Sequence, residues 1–522
     1  MKNLLLTIAI TAGFLQTSSA QSWEWAKQAG ALGDEAANKV AVDKAGNVYV
    51  TGYFTGATAV FGTITLNNAN SAAGGNDIFV AKYDANGNVL WAKQAGGKGS
   101  DYGIGIGVDS VNNIYVFGAC HDSAKFDATI IVHPVQSTFI AKYDQNGNII
   151  WAKDAGVYRE RDMAVDASGN SYIVYQNGMQ KWDKDGNMLW EQKSSNANAT
   201  FTDICADASG NSYFMGNGGG TFDTVVLPDG DFFVKMDPNG TAVSGKTYLT
   251  PGITANNSGA TSIEVDKTGN VFIASSFQGS VTIEGTTITS QGLIDFFILK
   301  YDNAGVFQWV KEDGTSLNET LSFLKADANG NIYTGGYTDN SFPFNFDTLS
   351  TQVKGAYIVK MNTNGAALWQ KSYSTTAGKS ISIKSVAAGT TGDIYVSGGF
   401  GGTITLGSTT LTATSGGGLF DGDVYVAKLN PSATTSIESL NFNGTKISIY
   451  PNPNNGLFTI VLPENTTNTQ LQVLNVLGEM VYNKMISGVS NTIDISNLAA
   501  GIYTIKTLSG KQLGTYKFIK QQ

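Results

Sequence analysis

Histidine, arginine and cysteine each occur only twice in the 522 residues. His121 and His133 sit in one stretch of chain, which speaks against a Ser-His-Asp triad or a histidine-rich zinc site. Cys120 and Cys205 fall in non-adjacent units of the repeat described below, so they read as free, buried thiols in a fold that does not lean on disulfides. Charged residues make up 14% of the chain against about 25% in ordinary soluble domains. The net charge is −9, with no run of lysine or arginine, and that excludes the basic footprint nucleic acid requires. The one long apolar run, Leu4–Leu15, falls short of the ~20 residues a membrane span needs. With Lys2 before it and Ser18-Ser19-Ala20 after it, residues 1–20 read as a secretory signal peptide, and no transmembrane segment is expected. Gly-rich runs such as Gly417-Gly418 lack the Gly-Lys-Ser/Thr ending of a phosphate loop.

Glycine, by contrast, is abundant at 62 residues, and much of it recurs in register. A motif pair appears seven times. Its first half is Asp43-Lys-Ala-Gly-Asn-Val-Tyr-Val-Thr-Gly52, and its second is Asp77-Ile-Phe-Val-Ala-Lys-Tyr-Asp-Ala-Asn-Gly-Asn-Val-Leu-Trp-Ala-Lys93. The first half returns at Asp109, Asp166, Asp207, Asp266 and Asp327, and in degenerate form at Gly389. Alternating Val/Tyr/Val runs bounded by Gly-Asn turns predict four short strands per copy. Insertions such as Phe61–Leu66 and Phe222–Leu227 predict an extra hairpin, absent from the third copy. The seventh copy stops at Pro431 before its Trp-Ala-Lys strand, which stands instead at Trp23–Gly30. The chain is therefore expected to be all-β: a seven-bladed β-propeller over residues 21–431, closed by its N-terminal strand. Trp25, Trp91, Trp151, Trp190, Trp309 and Trp369 are expected to fill the wedge between sheets. The Asp84, Asp144 and Asp183 turns read as turn chemistry, since an EF-hand places its glycine and last glutamate elsewhere.

These motifs resemble the SBBP β-propeller repeat of bacterial secreted proteins, a family with no common activity. After a linker at 432–445, residues 446–522 read as a small Ig-like β-sandwich. Tyr450-Pro-Asn-Pro-Asn-Asn-Gly-Leu-Phe458 and Leu498-Ala-Ala-Gly-Ile-Tyr503 resemble the type A sorting domain of the Bacteroidetes type IX secretion system. That resemblance implies the type IX machinery as a partner. It also implies removal of the domain, with the propeller released or held at the cell surface through lipopolysaccharide. O-glycosylation at Asp-Ser/Thr-apolar triplets, such as Asp109-Ser-Val111, Asp122-Ser-Ala124, Asp223-Thr-Val225 and Asp347-Thr-Leu349, is a further implication of the family.

No catalytic residue, metal site or cofactor is expected from the motifs. Both arginines fall in Val157-Tyr-Arg-Glu-Arg-Asp162, on the connection entering the third copy. Arginine suits bidentate capture of carboxylate or phosphate, so Tyr158, Arg159, Arg161 and Asp162 are the candidate ligand-binding residues. Glu35, Asp101 and Glu319 lie on equivalent connections and are expected at the same mouth of the channel. The leading expectation is a non-catalytic module binding an extracellular glycan or protein. The alternatives are a polysaccharide lyase or glycoside hydrolase using mouth carboxylates, and a structural surface-layer or gliding component.

Overall fold

The computed structural model describes residues 21–430 except 31–32, 70–73, 133–135, 157–158, 250–258, 315–318, 344–351, 377–378 and 415–421. Beyond 430 it describes 440–520 except 443–444, 451–455, 462–468, 476–478, 488–489, 500 and 510–511. The leader at 1–20, Tyr158, His133, the Asp347 triplet and Pro451-Asn-Pro453 lie outside the described residues. The chain forms two compact units, one over 23–430 and one over 431–522.

Every element of the larger unit is a strand, and the strands make antiparallel four-stranded sheets in chain order. The first runs Glu35–Val42, Val48–Phe54, Asp77–Tyr83, Val89–Ala95. Five more follow with the same meander, over 102–156, 160–193, 200–249, 259–313 and 319–373. Four small hairpins, such as Ser123–Phe126 with Thr129–Val132, stand as separate two-stranded sheets. In the third sheet Tyr175 and Gly178 pair directly across a tight turn, and no hairpin intervenes. The last sheet has Ser385–Ala388, Ile394–Phe400 and Asp423–Asn430, its fourth strand is Ser22–Gly30, and that strand's end pairs with the hairpin Thr58–Phe61 and Ile64–Asn67 to make six strands. That strand's Glu24 takes Lys428 Nζ at 2.7 Å and Asn430 Nδ2 at 2.8 Å. Trp23 and Trp25 on it are buried. The innermost strand of each sheet packs against those of the sheets before and after it, and 385–388 packs against 35–42.

The repeated residues prove to be scaffold. Asp43 Oδ1 accepts the amides of Ala45 and Asn47, and its Oδ2 accepts Asn47 Nδ2 and Tyr49 OH. Asp109, Asp166, Asp207 and Asp327 repeat this set. The Asp84 turn is likewise saturated by Asn86 and Asn88. Four outer-strand tryptophans hydrogen bond to the next sheet together with a lysine. Trp91 Nε1 donates to Gln145 O at 3.1 Å, and Lys82 Nζ donates to the same carbonyl at 3.0 Å. Trp151 with Lys142, Trp190 with Lys181, and Trp309 with Lys300 do the same at Lys184, Pro238 and Thr363. The lysine ammonium also lies 5.2 Å from the Tyr49 ring centre, a cation–π contact.

In the smaller unit, two four-stranded antiparallel sheets share one core built from Phe458, Ile460, Leu471, Val473, Ile493 and Ile505, among others.

Candidate functional site

The innermost strands surround a cavity of about 580 Å³. Its character is set by a β-bulge that recurs at one register. The pairing of inner strand with second strand shifts between Ala37 and Lys39, Gly103 and Gly105, Glu160 and Asp162, Phe201 and Asp203, Ala260 and Ser262, and Leu321 and Phe323. A bulge re-aims the extra side chain out of the ladder. The extra residues are Asn38, Ile104, Arg161, Thr202, Thr261 and Ser322, and all six line the cavity. Lys384, at the matching place in the last sheet, lines it too. Arg161, Ser322 and Lys384 are exposed, and the rest of the ring is half-buried. The ring therefore offers a guanidinium, an ammonium, three hydroxyls, an amide and one isoleucine, and no carboxylate.

Directly beneath, four residues before each turn Asp, stand Lys39, Gly105, Asp162, Asp203, Ser262, Phe323 and Ser385. Several of these take the backbone amide freed by the neighbouring bulge. Ser385 Oγ accepts Val40 N, Ser262 Oγ accepts Leu324 N, and Asp203 Oδ2 accepts Ile263 N at 2.7 Å. Lys39, on the first sheet, donates to Asp162 Oδ2 on the third at 2.7 Å. The intervening sheet carries Gly105 at that level, so no side chain blocks the path. Asp162 and Asp203 hydrogen bond to each other. Burial, with the neighbouring Asp203, pushes Asp162 up to about 8. Burial opposes ionisation of Asp203 as well, but the Asp162 proton, Lys39 and the Ile263 and Ser262 donors hold it below its ordinary value. One proton is therefore shared, and Asp162 carries it. One level further, Lys325 Nζ pairs with Glu264 Oε2 at 2.8 Å.

Of the residues the sequence singles out, Arg161 and Asp162 line the cavity. Arg159 is exposed, and its carbonyl accepts Gln176 N at 3.0 Å; it is not part of the lining. Glu35, Asp101 and Glu319 do not face the mouth. They are 1%, 0% and 1% exposed, because at the start of an inner strand (Glu35, Glu319) or just before it (Asp101) the side chain turns into the seam between sheets. Sequence reasoning missed Asn38, Lys39, Thr202, Asp203, Thr261, Ser322 and Lys384. Counting back four or five residues from each turn Asp would have found them. Cys120 and Cys205 are buried free thiols, and His121 Nδ1 lies 2.6 Å from Ser100 O in a half-buried setting. No cluster of three or more His, Cys, Asp or Glu suited to a metal occurs among the described residues. No helix among them is long and apolar enough to cross a membrane.

Residues 448–521 match the secretion system C-terminal sorting domain, and residues 24–56 and 90–118 match the β-propeller repeat of the SBBP type. An uncharacterized WD repeat-containing protein, L264, of Acanthamoeba polyphaga mimivirus is 24% identical over 471 residues, covering 66% of this chain and 34% of that protein. The regulatory protein FlaEY of Caulobacter vibrioides is 23% identical over 295 residues, covering 54% and 28%. The chain thus spans about a third of the length of these curated relatives. Solved structures similar to it include the Dos1 propeller (9% identity, 96% of this chain and 95% of that one, TM-score 0.37). U3-55K is another (8% identity, 77% and 98%, TM-score 0.44).

Proposed function

We infer the role of an exported binding protein, since the chain carries SBBP β-propeller repeats and a C-terminal type IX sorting domain, which implies export to the cell surface or secretion. We propose that residues 21–431 form a seven-bladed propeller closed by Ser22–Gly30, and that 1–20 are removed as a signal peptide. In the same reading 446–522 form an Ig-like sandwich read by the type IX machinery. The propeller is then released or attached through lipopolysaccharide.

The activity is non-catalytic capture of an anionic group, carboxylate, sulfate or phosphate, borne by an extracellular glycan. The observation that carries this reading is the bulge ring. Arg161 and Lys384 supply cationic donors, while Thr202, Thr261, Ser322 and Asn38 supply the hydroxyl and amide donors a sugar requires. The ring has no acid to compete with the ligand. The carboxyl pair directly beneath it does not suit glycoside hydrolysis. Asp162 and Asp203 touch each other, whereas glycosidase carboxyls stand about 5–9.5 Å apart across the bond they cleave.

The test is binding of the full chain to acidic and neutral oligosaccharides on an array, with reducing-sugar release measured in parallel. Binding to acidic glycans that drops at least ~10-fold in Arg161→Ala/Lys384→Ala supports the reading. Equal binding by that variant, or sugar release by the native chain that is lost in Asp162→Asn, overturns it.

A further inference from the structure

Away from the channel, three junctions between sheets share one construction. Asp77, Asp295 and Asp423 each open the third strand of their sheet. The carbonyl just before each accepts the amide of an acidic residue from the next sheet. Asp101 N donates to Asn76 O at 2.8 Å, Glu319 N to Ile294 O at 3.0 Å, and Glu35 N to Gly422 O at 3.2 Å. The third of these joins the last sheet to the first. Two buried carboxyls thus meet at every such junction.

One oxygen of each opening aspartate is held by donors. Asp77 Oδ2 accepts Ala69 N at 2.6 Å and Gln94 Nε2 at 2.5 Å. Asp295 Oδ2 accepts Gln291 N at 2.7 Å, and Asp423 Oδ2 accepts Thr414 N and Oγ1, both at 2.9 Å, and Gln28 Nε2. The other oxygen, Oδ1, is buried and has no hydrogen-bond partner in all three, although the residues are only 0%, 2% and 0% exposed. Among the described residues no ion pair joins Asp77, Asp101, Asp295 or Asp423 to a lysine or arginine.

At two of the junctions the bare oxygen and an oxygen of the facing acid lie close to the same glycine, and at the third the bare oxygen lies close to Gly314. A Cβ on Gly96 would stand 2.4 Å from Asp77 Oδ1 and 3.0 Å from Asp101 Oδ2; one on Gly30 would stand 2.9 Å from Asp423 Oδ1 and 3.0 Å from Glu35 Oε2. At Gly314 it would meet Asp295 Oδ1 at 2.4 Å. Gly30 and Gly96 have φ of +154° and +147°, which L side chains rarely adopt.

The facing Asp101 accepts Gly97 N at Oδ2 (2.8 Å) and His121 N at Oδ1 (2.9 Å), and for the bare oxygen of the opening aspartate a shared proton or a cation would supply the missing partner. The channel pair Asp162–Asp203 shows the first, with the two carboxyls hydrogen bonded. At the Asp77 junction the charge of Asp77 reaches Asp101 without any hydrogen bond between them. Burial, with that charge, pushes Asp101 up to about 7. Two buried carboxylates facing each other, with one oxygen left without a donor, are a setting a hard cation such as Ca²⁺ satisfies with its oxygen ligands. The carbonyls of Asn76, Ile294 and Gly422 stand at the same junctions.

We propose that Asp77 with Asp101, Asp295 with Glu319, and Asp423 with Glu35 each bind a divalent cation of the calcium class that bridges neighbouring sheets. Oxygen-only donors without histidine or thiolate favour calcium over zinc or copper. The site is independent of the channel ring, so its failure would leave the glycan reading intact. The experiment uses the full chain freed of metal with EDTA and titrated with calcium chloride by calorimetry, with melting curves alongside. The expected result is uptake of about three ions and a rise in melting temperature of about 5 °C. Asp77→Asn, Asp295→Asn and Asp423→Asn should each remove one ion, so the test does not depend on a triple variant folding. Absence of calcium uptake would overturn the proposal. So would a stoichiometry unchanged in all three single variants, or Asn variants that melt higher than the native chain while calcium shifts neither.

Discussion

The outer seams between sheets and the inner ring around the channel follow opposite rules. At four of the seams the parts are the same. A tryptophan and a lysine from one sheet converge on one turn carbonyl of the next, at Gln145, Lys184, Pro238 and Thr363. In the channel the register is constant and the residues differ: Asn, Ile, Arg, Thr, Thr, Ser and Lys stand at seven equivalent places. Repetition marks what every junction needs to hold together. Variation at a fixed register marks positions released from that need, and there the molecule presents chemistry to a ligand.

The sharpest way to break the comparison is to remove a seam altogether. Deleting Ser22–Gly30 strips the last sheet of its outer strand, two buried tryptophans and the Glu24–Lys428 pair. Fully burying an aromatic is worth about 3–5 kcal/mol by truncation, so the loss should exceed about 5 kcal/mol and be read as a large fall in melting temperature. An unchanged melting curve would show that the strand is not what closes the larger unit.

A milder probe acts within single seams. Trp91→Ala and Trp309→Ala remove half-buried rings and leave the Gln145 and Thr363 carbonyls to their lysines alone. Each should cost about 2–3 kcal/mol in chemical denaturation. The two costs should agree closely, because the seams are equivalent. A difference greater than about 1 kcal/mol would mean that identical parts do different work in different sheets.

This division explains what was legible beforehand. The strands, the missing hairpin of the third unit and the fourth strand taken from Ser22–Gly30 follow from hydrophobic alternation and turn residues, which are local and repeated. Arg161 and Asp162 were found because arginine is rare. Thr202, Ser322 and Lys384 were not, because a polar residue on an inner strand carries no local signal. Only the bulge turns it toward the channel, and a bulge is a property of pairing with the next strand. Glu35, Asp101 and Glu319 were assigned to the mouth from their place in the chain. Alternation alone decides whether a strand's first side chain meets water or the next sheet, and here it meets the next sheet.

The smallest effect separates channel from seam by pH. Asp162 is raised to about 8 when folded and returns to an ordinary carboxyl, near 3.9, when unfolded. Between those values the folded chain binds one more proton than the unfolded one, so stability present at low pH is lost as pH rises through 8. In the metal-free chain the buried Asp231 and Asp295, both pushed up to about 6 mainly by burial, act in the same direction and have largely titrated by pH 7, whereas Asp101, pushed up to about 7, is at its midpoint there. Asp203 is depressed, so its contribution lies below its ordinary range and does not cancel the slope. From pH 7 to 8 the larger part of the decline belongs to Asp162, at most about 1.4 kcal/mol per pH unit, with a smaller part from Asp101. Asp162→Asn keeps a donor toward Asp203 without the titration. Denaturant unfolding at pH 7 and pH 8 should therefore show a clearly steeper decline in the native chain than in the variant, which keeps only the smaller Asp101 part. The same decline in both would place the titrating group elsewhere and remove the shared proton from the channel.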